Sequence, residues 1–188
     1  MMPLKQSALG KIKFSHLKNY PLSFIQLSIK MPSIHLTTFI AAPVERVFDL
    51  SRSVTLHKIS TAHTHEKIVG GKMNGLINEG ETVTWQARHL FKERKFTSKV
   101  IAMLKPLNFT DKMIRGDFKS FHHEHHFKAA INGTIMIDVL EFESPYGIVG
   151  QLLNKFYLKK YLEQLLLKRN KCIKEYAEGA KWKAILTG

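Results

Sequence analysis

Cysteine is nearly absent from this sequence, since Cys172 is the only one among 188 residues. A lone cysteine cannot form an internal disulfide, so the chain has no need of an oxidising compartment, and we expect a cytoplasmic protein. Cys172 lies late in a predicted helix among lysines, without a designated base. We therefore do not expect it to act as a nucleophile.

Long apolar runs and nucleotide motifs are also missing. Lys, Gln or Glu interrupts each apolar stretch, and none approaches the roughly 18 to 20 apolar residues of a membrane-spanning helix. The sequence contains no Gly-x-Ser-x-Gly elbow, no P-loop and no dinucleotide fingerprint. These absences argue against serine-hydrolase and nucleotide chemistry, and we expect no cofactor.

Acidic residues are few, so the chain carries a formal net charge of +14. A clustered positive charge would attract nucleic acid or an anionic membrane. The excess is instead spread along the chain, without a block of five like charges. We therefore expect a solvated basic surface and no nucleic-acid partner, while transient contact with an anionic membrane surface is compatible with this charge.

The first 30 residues differ in composition from the rest. They carry five lysines and no acidic residue, and they show no clear hydrophobic period. Serine and glutamine interrupt their apolar run at 22–29, which is poor for the core of a signal peptide. We expect residues 1–30 to be a disordered or appended extension, residues 31–180 to form one domain, and residues 181–188 to form a tail.

Secondary-structure signals begin after residue 31. Residues 34–40 are rich in β-branched side chains and predict a strand, and Pro43 suits the first turn of a helix. A second short helix is predicted at 54–60, and a flexible segment at 69–75. Beyond residue 79, apolar runs between turn signals predict a meander of antiparallel strands.

The last predicted element is a long helix. It begins after Pro145 and ends at Gly179, with a length of about 33 residues. Its apolar stripe consists of Val149, Leu152, Leu153, Phe156, Leu162, Leu165, Leu166, Ile173 and Tyr176. A helix of this length must lie along a large concave surface.

Three turns set the register of the meander. They are a turn at Asn132-Gly133, a four-residue turn at 91–94, and a turn at 116–118, which gives the last set of pairs if it holds three residues and breaks the match of faces if it holds two. The predicted pairs are Phe127 with Asp138, His125 with Leu140, and His123 with Phe142; His89 with Phe96, Ala87 with Ser98, Trp85 with Val100, and Val83 with Ala102; and Met113 with Phe121, Asp111 with His123, and Phe109 with His125.

This register separates an apolar face of the sheet from a polar face. The apolar face holds Val83, Trp85, Ala87, Phe96, Val100, Phe109, Met113, Phe121, Phe127, Met136, Leu140 and Phe142. Five polar residues lie within that face: His89, Asp111, His123, His125 and Asp138. Buried polar groups must be partnered, so these residues mark a candidate site.

The opening segment, from Ile34-His-Leu-Thr-Thr-Phe-Ile through Ala42-Pro43-Val-Glu-Arg-Val-Phe-Asp-Leu50, resembles the start of START-like (SRPBCC) proteins. The segments 81–89 and 121–127, together with Phe142-Glu-Ser-Pro145 and the long last helix, resemble the bacterial polyketide cyclase/dehydrase-like branch. The resemblance covers about residues 31–180. It implies an α+β helix-grip fold, in which a curved antiparallel sheet of six to seven strands surrounds a long C-terminal helix, with two short helices after the first strand.

The resemblance also implies a hydrophobic cavity between the sheet and the C-terminal helix. We expect binding or carrying of a small, mostly apolar ligand of the lipid, quinone, polyketide-like or aromatic type. The alternative is a cyclase or dehydratase that uses a pocket His-Asp pair for acid-base chemistry. The predicted ligand-binding residues are Trp85, His89, Val100, Phe109, Met113, Phe121, His123, His125, Met136, Leu140 and Phe156.

The five-residue run from His122 to His126 invites three interpretations. Alternate histidines on a strand point the same way, as in a metal site. A histidine-carboxylate hydrogen-bond network accounts for the same residues equally well, and so does a role in ligand recognition or acid-base catalysis. We favour the network and expect no metal. The candidates for catalysis are His123, Asp111, His125 and Asp138.

Removal of residues 1–30 tests the predicted domain boundary. Because this segment shows no amphipathic period, a chain that starts at Met31 should melt within a few degrees of the full-length protein. Thermal unfolding of both chains measures this difference. A large loss of stability in the shorter chain would mean that the segment packs on the domain.

Overall fold

The computed structural model describes residues 32–89, 92–144 and 157–187. These residues form seven strands and four α-helices, with a 3₁₀ turn at Ala62–Thr64. In chain order the elements are β1 (Ser33–Ile40), α1 (Val44–Ser51), α2 (Val54–Ser60), β2 (Lys67–Gly71), β3 (Thr82–His89), β4 (Lys92–Leu104), β5 (Asn108–Arg115), β6 (Ser120–Ala130), β7 (Gly133–Glu143), α3 (Lys159–Glu178) and α4 (Trp182–Leu186).

All seven strands belong to one curved antiparallel sheet in the order β1-β7-β6-β5-β4-β3-β2. Strands β2 to β7 follow one another as a meander, and β1 pairs with β7. The helices α1 and α2 therefore carry the chain from one edge of the sheet to the other. This architecture confirms the predicted α+β helix-grip fold with seven strands and two short helices after the first strand.

The two short helices anchor the core. Helix α1 follows Pro43 and buries Phe48, whose ring meets the rings of Phe109 and Phe127 edge-on at 5.7 and 5.3 Å. Helix α2 begins at a capping serine, because the Ser53 hydroxyl accepts a hydrogen bond from the Leu56 amide. Helices α1 and α2 therefore cover one part of the apolar face of the sheet, and α3 packs on another part.

The long helix is confirmed between Lys159 and Glu178, and it ends at Gly179 as predicted. Its buried positions are Leu162, Leu166, Arg169, Asn170, Ile173 and Ala177. The spacing of three and four residues places them on one face, which packs against the sheet and α1. The predicted first part of the helix, with Val149, Leu152, Leu153 and Phe156, lies outside the described residues.

The prediction of a flexible segment at 69–75 is wrong for residues 69–71, because Lys67–Gly71 forms the edge strand β2. The strand is short and carries a bulge between Ile68 and Gly70, so it shows little strand pattern. Gly71 has a φ of 75°, and a Cβ there would lie 2.1 Å from the Thr82 carbonyl oxygen. Glycine is required at this close approach, and its presence hides the strand in the sequence.

The register predicted for β5 and β6 is confirmed, since Asp111 pairs with His123 and Phe109 with His125, although the segment between the two strands spans residues 116–119. The other two registers are wrong. Each residue of β6 pairs with a β7 residue that lies two positions nearer the turn than predicted. Each residue of β3 pairs with a β4 residue that lies four positions nearer the turn. The observed pairs are Phe127 with Met136, His125 with Asp138, and His123 with Leu140; and His89 with Lys92, Ala87 with Arg94, Trp85 with Phe96, and Val83 with Ser98.

Both errors come from the turns. In the β6–β7 hairpin the loop residues are Ile131 and Asn132, with Asn132 at a φ of 63°, and Gly133 already belongs to the strand. In the β3–β4 hairpin the charged residues at 92–94 do not form a loop but continue the strand. The Arg94 side chain forms a salt bridge with Asp117. Each shift is an even number of residues, so the residues of the predicted apolar face stay on that face.

The predicted tail contains the short helix α4. Its Trp182 ring lies under the Arg46 guanidinium, at 4.4 Å. Ile185 and Leu186 are half-buried and pack against the same core as α1. The end of the chain therefore contributes apolar contacts.

Two substitutions on α3 test which face of the helix is buried. Ile173 is 2% exposed, and Leu167 is 43% exposed on the same helix. Ile173→Ala should lower the free energy of unfolding by about 2 to 5 kcal/mol, because it leaves a cavity in the core. Leu167→Ala is the matched control and should cost much less. Equal losses in denaturant titrations would contradict this packing.

Candidate functional site

A cavity of about 530 Å³ lies between the concave face of the sheet, α2 and α3. Its wall is mostly apolar, and α3 closes it with Leu162, Leu165 and Leu166. The predicted ligand-binding residues that line it are Trp85, Val100, Phe109, Phe121, His123, His125 and Leu140. Seven of the eleven predicted residues therefore line this cavity, and all seven lie on strands β3 to β7.

Four predicted ligand-binding residues do not belong to the described wall. Met136 is fully buried in the core, where its sulfur contacts the Ser51 hydroxyl at 3.4 Å. Met113 is half-buried beside Gly116. The side chain of His89 and the whole of Phe156 lie outside the part that the structure describes.

A buried carboxylate, that of Asp138, organises the polar part of the wall. Its side chain is 0% exposed. Oδ1 lies 3.1 Å from His123 Nε2 and 2.8 Å from His125 Nδ1, and it accepts a hydrogen bond from Arg169 at 3.3 Å. Oδ2 accepts a hydrogen bond from the Asn170 amide at 2.7 Å. Four donors thus compensate for the burial of this charge.

The second carboxylate, Asp111, reaches the network through His125. His125 Nε2 lies 3.1 Å from Asp111 Oδ2, so both ring nitrogens of His125 face carboxylate oxygens. We predicted that Asp111 and His123 are partners. Their backbones do pair across the strands, but the side-chain hydrogen bonds are different ones: Asp111 accepts from His125, and Asp138 on β7 is the acceptor for His123.

The pKa values of these groups follow from burial and from their partners. Burial raises the pKa of Asp138, but hydrogen bonds from His123 and His125 and the charge of Arg169 outweigh it and hold the pKa well below its usual range. The pKa of Asp111 is lowered in the same way, mainly by His125 against burial. Burial, with the charge of His125, lowers the pKa of His123 to about 4. Both carboxylates are therefore ionised at neutral pH, and His123 is neutral.

The sequence pattern missed Arg169 and Asn170. Arg169 also donates to the Ser51 carbonyl oxygen at 3.0 Å, which links α3 to α1. Asn170 also donates to the Thr38 hydroxyl on β1. The signal was available in the helix period, because positions 169 and 170 continue the stripe between Leu166 and Ile173. A charged residue in an apolar stripe indicates a buried partner.

A second polar cluster lies on the α2 side of the cavity. The His57 ring stacks on Trp85 with a centroid distance of 4.3 Å, and its Nε2 lies 3.2 Å from Glu66 Oε2. The Thr61 hydroxyl donates to the same oxygen at 2.5 Å. Burial and the charge of Glu66 raise the pKa of the nearby Tyr161, so the tyrosine hydroxyl remains a donor at neutral pH.

The remaining histidines of the run lie on the convex face of the sheet. Glu124 Oε1 lies 3.3 Å from His122 Nε2, and Oε2 lies 2.9 Å from His126 Nε2. These side chains are 34 to 45% exposed. Strand alternation therefore divides the run into an inner pair, His123 and His125, and an outer cluster in contact with solvent.

Comparisons with known proteins bear on the fold. No protein-family model and no curated protein matches the chain. A START superfamily protein from Mycobacterium smegmatis matches 78% of this chain and 97% of its own, at 15% identity and a TM-score of 0.59.

Two other solved structures are similar. The protein TTHA0849 from Thermus thermophilus is 20% identical, with a TM-score of 0.60 over 76% of this chain and 97% of its own. Ginseng major latex-like protein 151 from Panax ginseng is 15% identical, with a TM-score of 0.58 over 79% of this chain and 99% of its own. At these identities the likeness concerns the fold alone.

Within 32–89, 92–144 and 157–187, no helix combines the length and the apolar character that a membrane crossing requires.

The lowered pKa of His123 predicts a pH dependence of stability. Its pKa is about 4 in the folded protein and 6.5 in the unfolded chain, so between these values the unfolded chain binds a proton that the folded protein does not. The free energy of unfolding should therefore fall as the pH is lowered from 6.5 to 4, by at most about 3 kcal/mol from this group. Denaturant titrations at several pH values measure the slope. His123→Gln should flatten it, and an unchanged slope would contradict a buried neutral His123.

Proposed function

Because the chain has the START-like helix-grip fold and contains a cavity between its sheet and α3, we propose that it binds or carries a small, mostly apolar ligand. The observation that carries this proposal is the cavity itself. Its volume of about 530 Å³ lies within the range of roughly 300 to 1,000 Å³ that is typical of small-molecule sites. A mostly apolar wall with a few convergent polar groups is also typical of such sites.

Asp111 supports a ligand with a polar group. Its side chain is 19% exposed and lines the cavity, so an ionised oxygen is accessible to a donor. A hydroxyl or a similar hydrogen-bond donor on the ligand suits this acceptor. Hydroxylated members of the lipid, quinone, polyketide-like and aromatic classes all meet this requirement.

Acid-base catalysis is the second candidate function. It is favoured by the accessible Asp111 beside His125, an arrangement that could move a proton. An efficient general base has a pKa near the working pH, whereas the pKa of Asp111 is lowered and that of His123 is about 4. His125 has both ring nitrogens directed at carboxylates. These properties favour binding or carrying over cyclase or dehydratase chemistry.

We further propose that the carrier is cytoplasmic, and its net charge supports transient contact with anionic membranes. The formal net charge is +14, and a basic surface is attracted to anionic headgroups. A carrier of an apolar molecule collects or delivers its ligand at such a surface.

A substitution that fills the cavity tests the proposal. Ser98 lines the cavity on β4, and Ser98→Phe would place a phenyl ring inside it. The neutral apolar probe N-phenyl-1-naphthylamine should bind the unchanged protein with enhanced fluorescence. The variant should bind it at least about tenfold more weakly, a difference of about 1.4 kcal/mol.

The matched control is Thr110→Phe. Thr110 lies on β5 between the inward residues Phe109 and Asp111, so its side chain points to the convex face. This variant should bind the probe like the unchanged protein. Thermal melts establish that both variants are folded. Equal binding by all three proteins, or no binding by the unchanged protein, would contradict a ligand cavity.

A further inference from the structure

The inner polar residues bring together the donor set of a metal site. Asp111, His123 and His125 each offer one ligand atom, and these atoms all lie within 4.8 Å of one another. Strand β6 supplies both histidines at alternate positions, and β5 supplies the carboxylate directly across from His123. Two imidazoles and one carboxylate suit first-row divalent transition metals.

Asp138 orients both histidines. It engages Nε2 of His123 and Nδ1 of His125, and as an ionised acceptor it favours the tautomer with a proton on each of these nitrogens. The other nitrogen of each ring, Nδ1 of His123 and Nε2 of His125, then carries a lone pair. A carboxylate that holds the far nitrogen of a ligating histidine is a recurrent feature of metal sites.

His125 Nε2 and Asp111 Oδ2 are 3.1 Å apart. In this tautomer both atoms carry lone pairs, so a cation must lie between or beside them, either a proton or a metal ion. Two ligand atoms that each lie about 2.0 to 2.2 Å from one ion are about 2.8 to 3.1 Å apart at a right angle and about 3.3 to 3.6 Å apart at a tetrahedral angle. The observed separation fits the right angle, and side-chain shifts of a few tenths of an ångström give the tetrahedral value.

The surroundings suit an ion with open coordination positions. Asp138 is held from behind by Arg169 and Asn170, so it orients the histidines and does not itself bind the ion. Asp111, His123 and His125 all line the cavity. We propose that these three residues bind a divalent transition metal ion of the Zn²⁺ or Co²⁺ type at the cavity wall. The proposal does not rest on the proposed apolar ligand, although a ligand hydroxyl at Asp111 would compete with the ion.

Direct metal binding to the full-length protein tests the proposal. After treatment with a chelator, the protein should bind about one equivalent of Co²⁺, seen in visible absorption, and of Zn²⁺, measured by calorimetry with a Kd below about 10 μM. Mg²⁺ and Ca²⁺ prefer oxygen ligands and should not compete. Failure to bind Co²⁺ and Zn²⁺ would overturn the proposal.

Variants locate the ion. Asp111→Asn and His125→Gln should each weaken Zn²⁺ binding by more than about 100-fold, since removal of an orienting partner alone costs 10- to 100-fold. The matched control removes the outer cluster, which also offers two imidazoles and one carboxylate. The double variant His122→Gln/His126→Gln should bind Zn²⁺ like the unchanged protein. A loss confined to this control would place the ion on the convex face and overturn the proposal.

A measurement on the unchanged protein makes the test independent of how the variants fold. Imidazole nitrogens report metal binding by their ¹⁵N chemical shifts. Addition of one equivalent of Zn²⁺ should shift the ring nitrogens of His123 and His125 and leave those of His122 and His126 in place. Shifts limited to the outer histidines would contradict the inner site.

Discussion

The burial of one ionised carboxylate, that of Asp138, constrains the rest of the interior. Such a charge is tolerated only when donors surround it, and loss of one partner from a buried pair costs about 3 to 5 kcal/mol. Here β6 supplies two histidines, and α3 supplies Arg169 and Asn170. The helix must therefore lie over the sheet at one rotation and one height, because only that placement brings both donors to the carboxylate.

This requirement divides the interior into two regions. Toward the C-terminal end of α3, Ile173 and Ala177 pack into an apolar core with α1. Toward its other end, Leu162 and Leu166 cover the cavity. The polar network lies at the boundary between them, where Asp111 remains accessible. An anchored helix can thus enclose an open volume that apolar packing alone would tend to close.

The sequence predicted the faces of the sheet better than its registers. Alternation assigns a side chain to a face whatever its partner, so Trp85 and Phe109 were placed correctly. Register depends on the conformation of two or three loop residues. The Asn132-Gly133 dipeptide predicts a turn at 132–133, but the turn lies one residue earlier, at 131–132. As a result, Asp138 lies across from His125. That displacement decided which carboxylate holds His123.

The sequence by itself determined the order of the elements, the apolar faces and the resemblance to helix-grip proteins, because local periodicity and short motifs encode them. Only the tertiary structure decided which polar residues meet. The network joins residues that are 13 to 32 positions apart, and a hydrogen bond depends on differences of a few tenths of an ångström. Such distances follow from the packing of α3 on the sheet, which no local pattern contains.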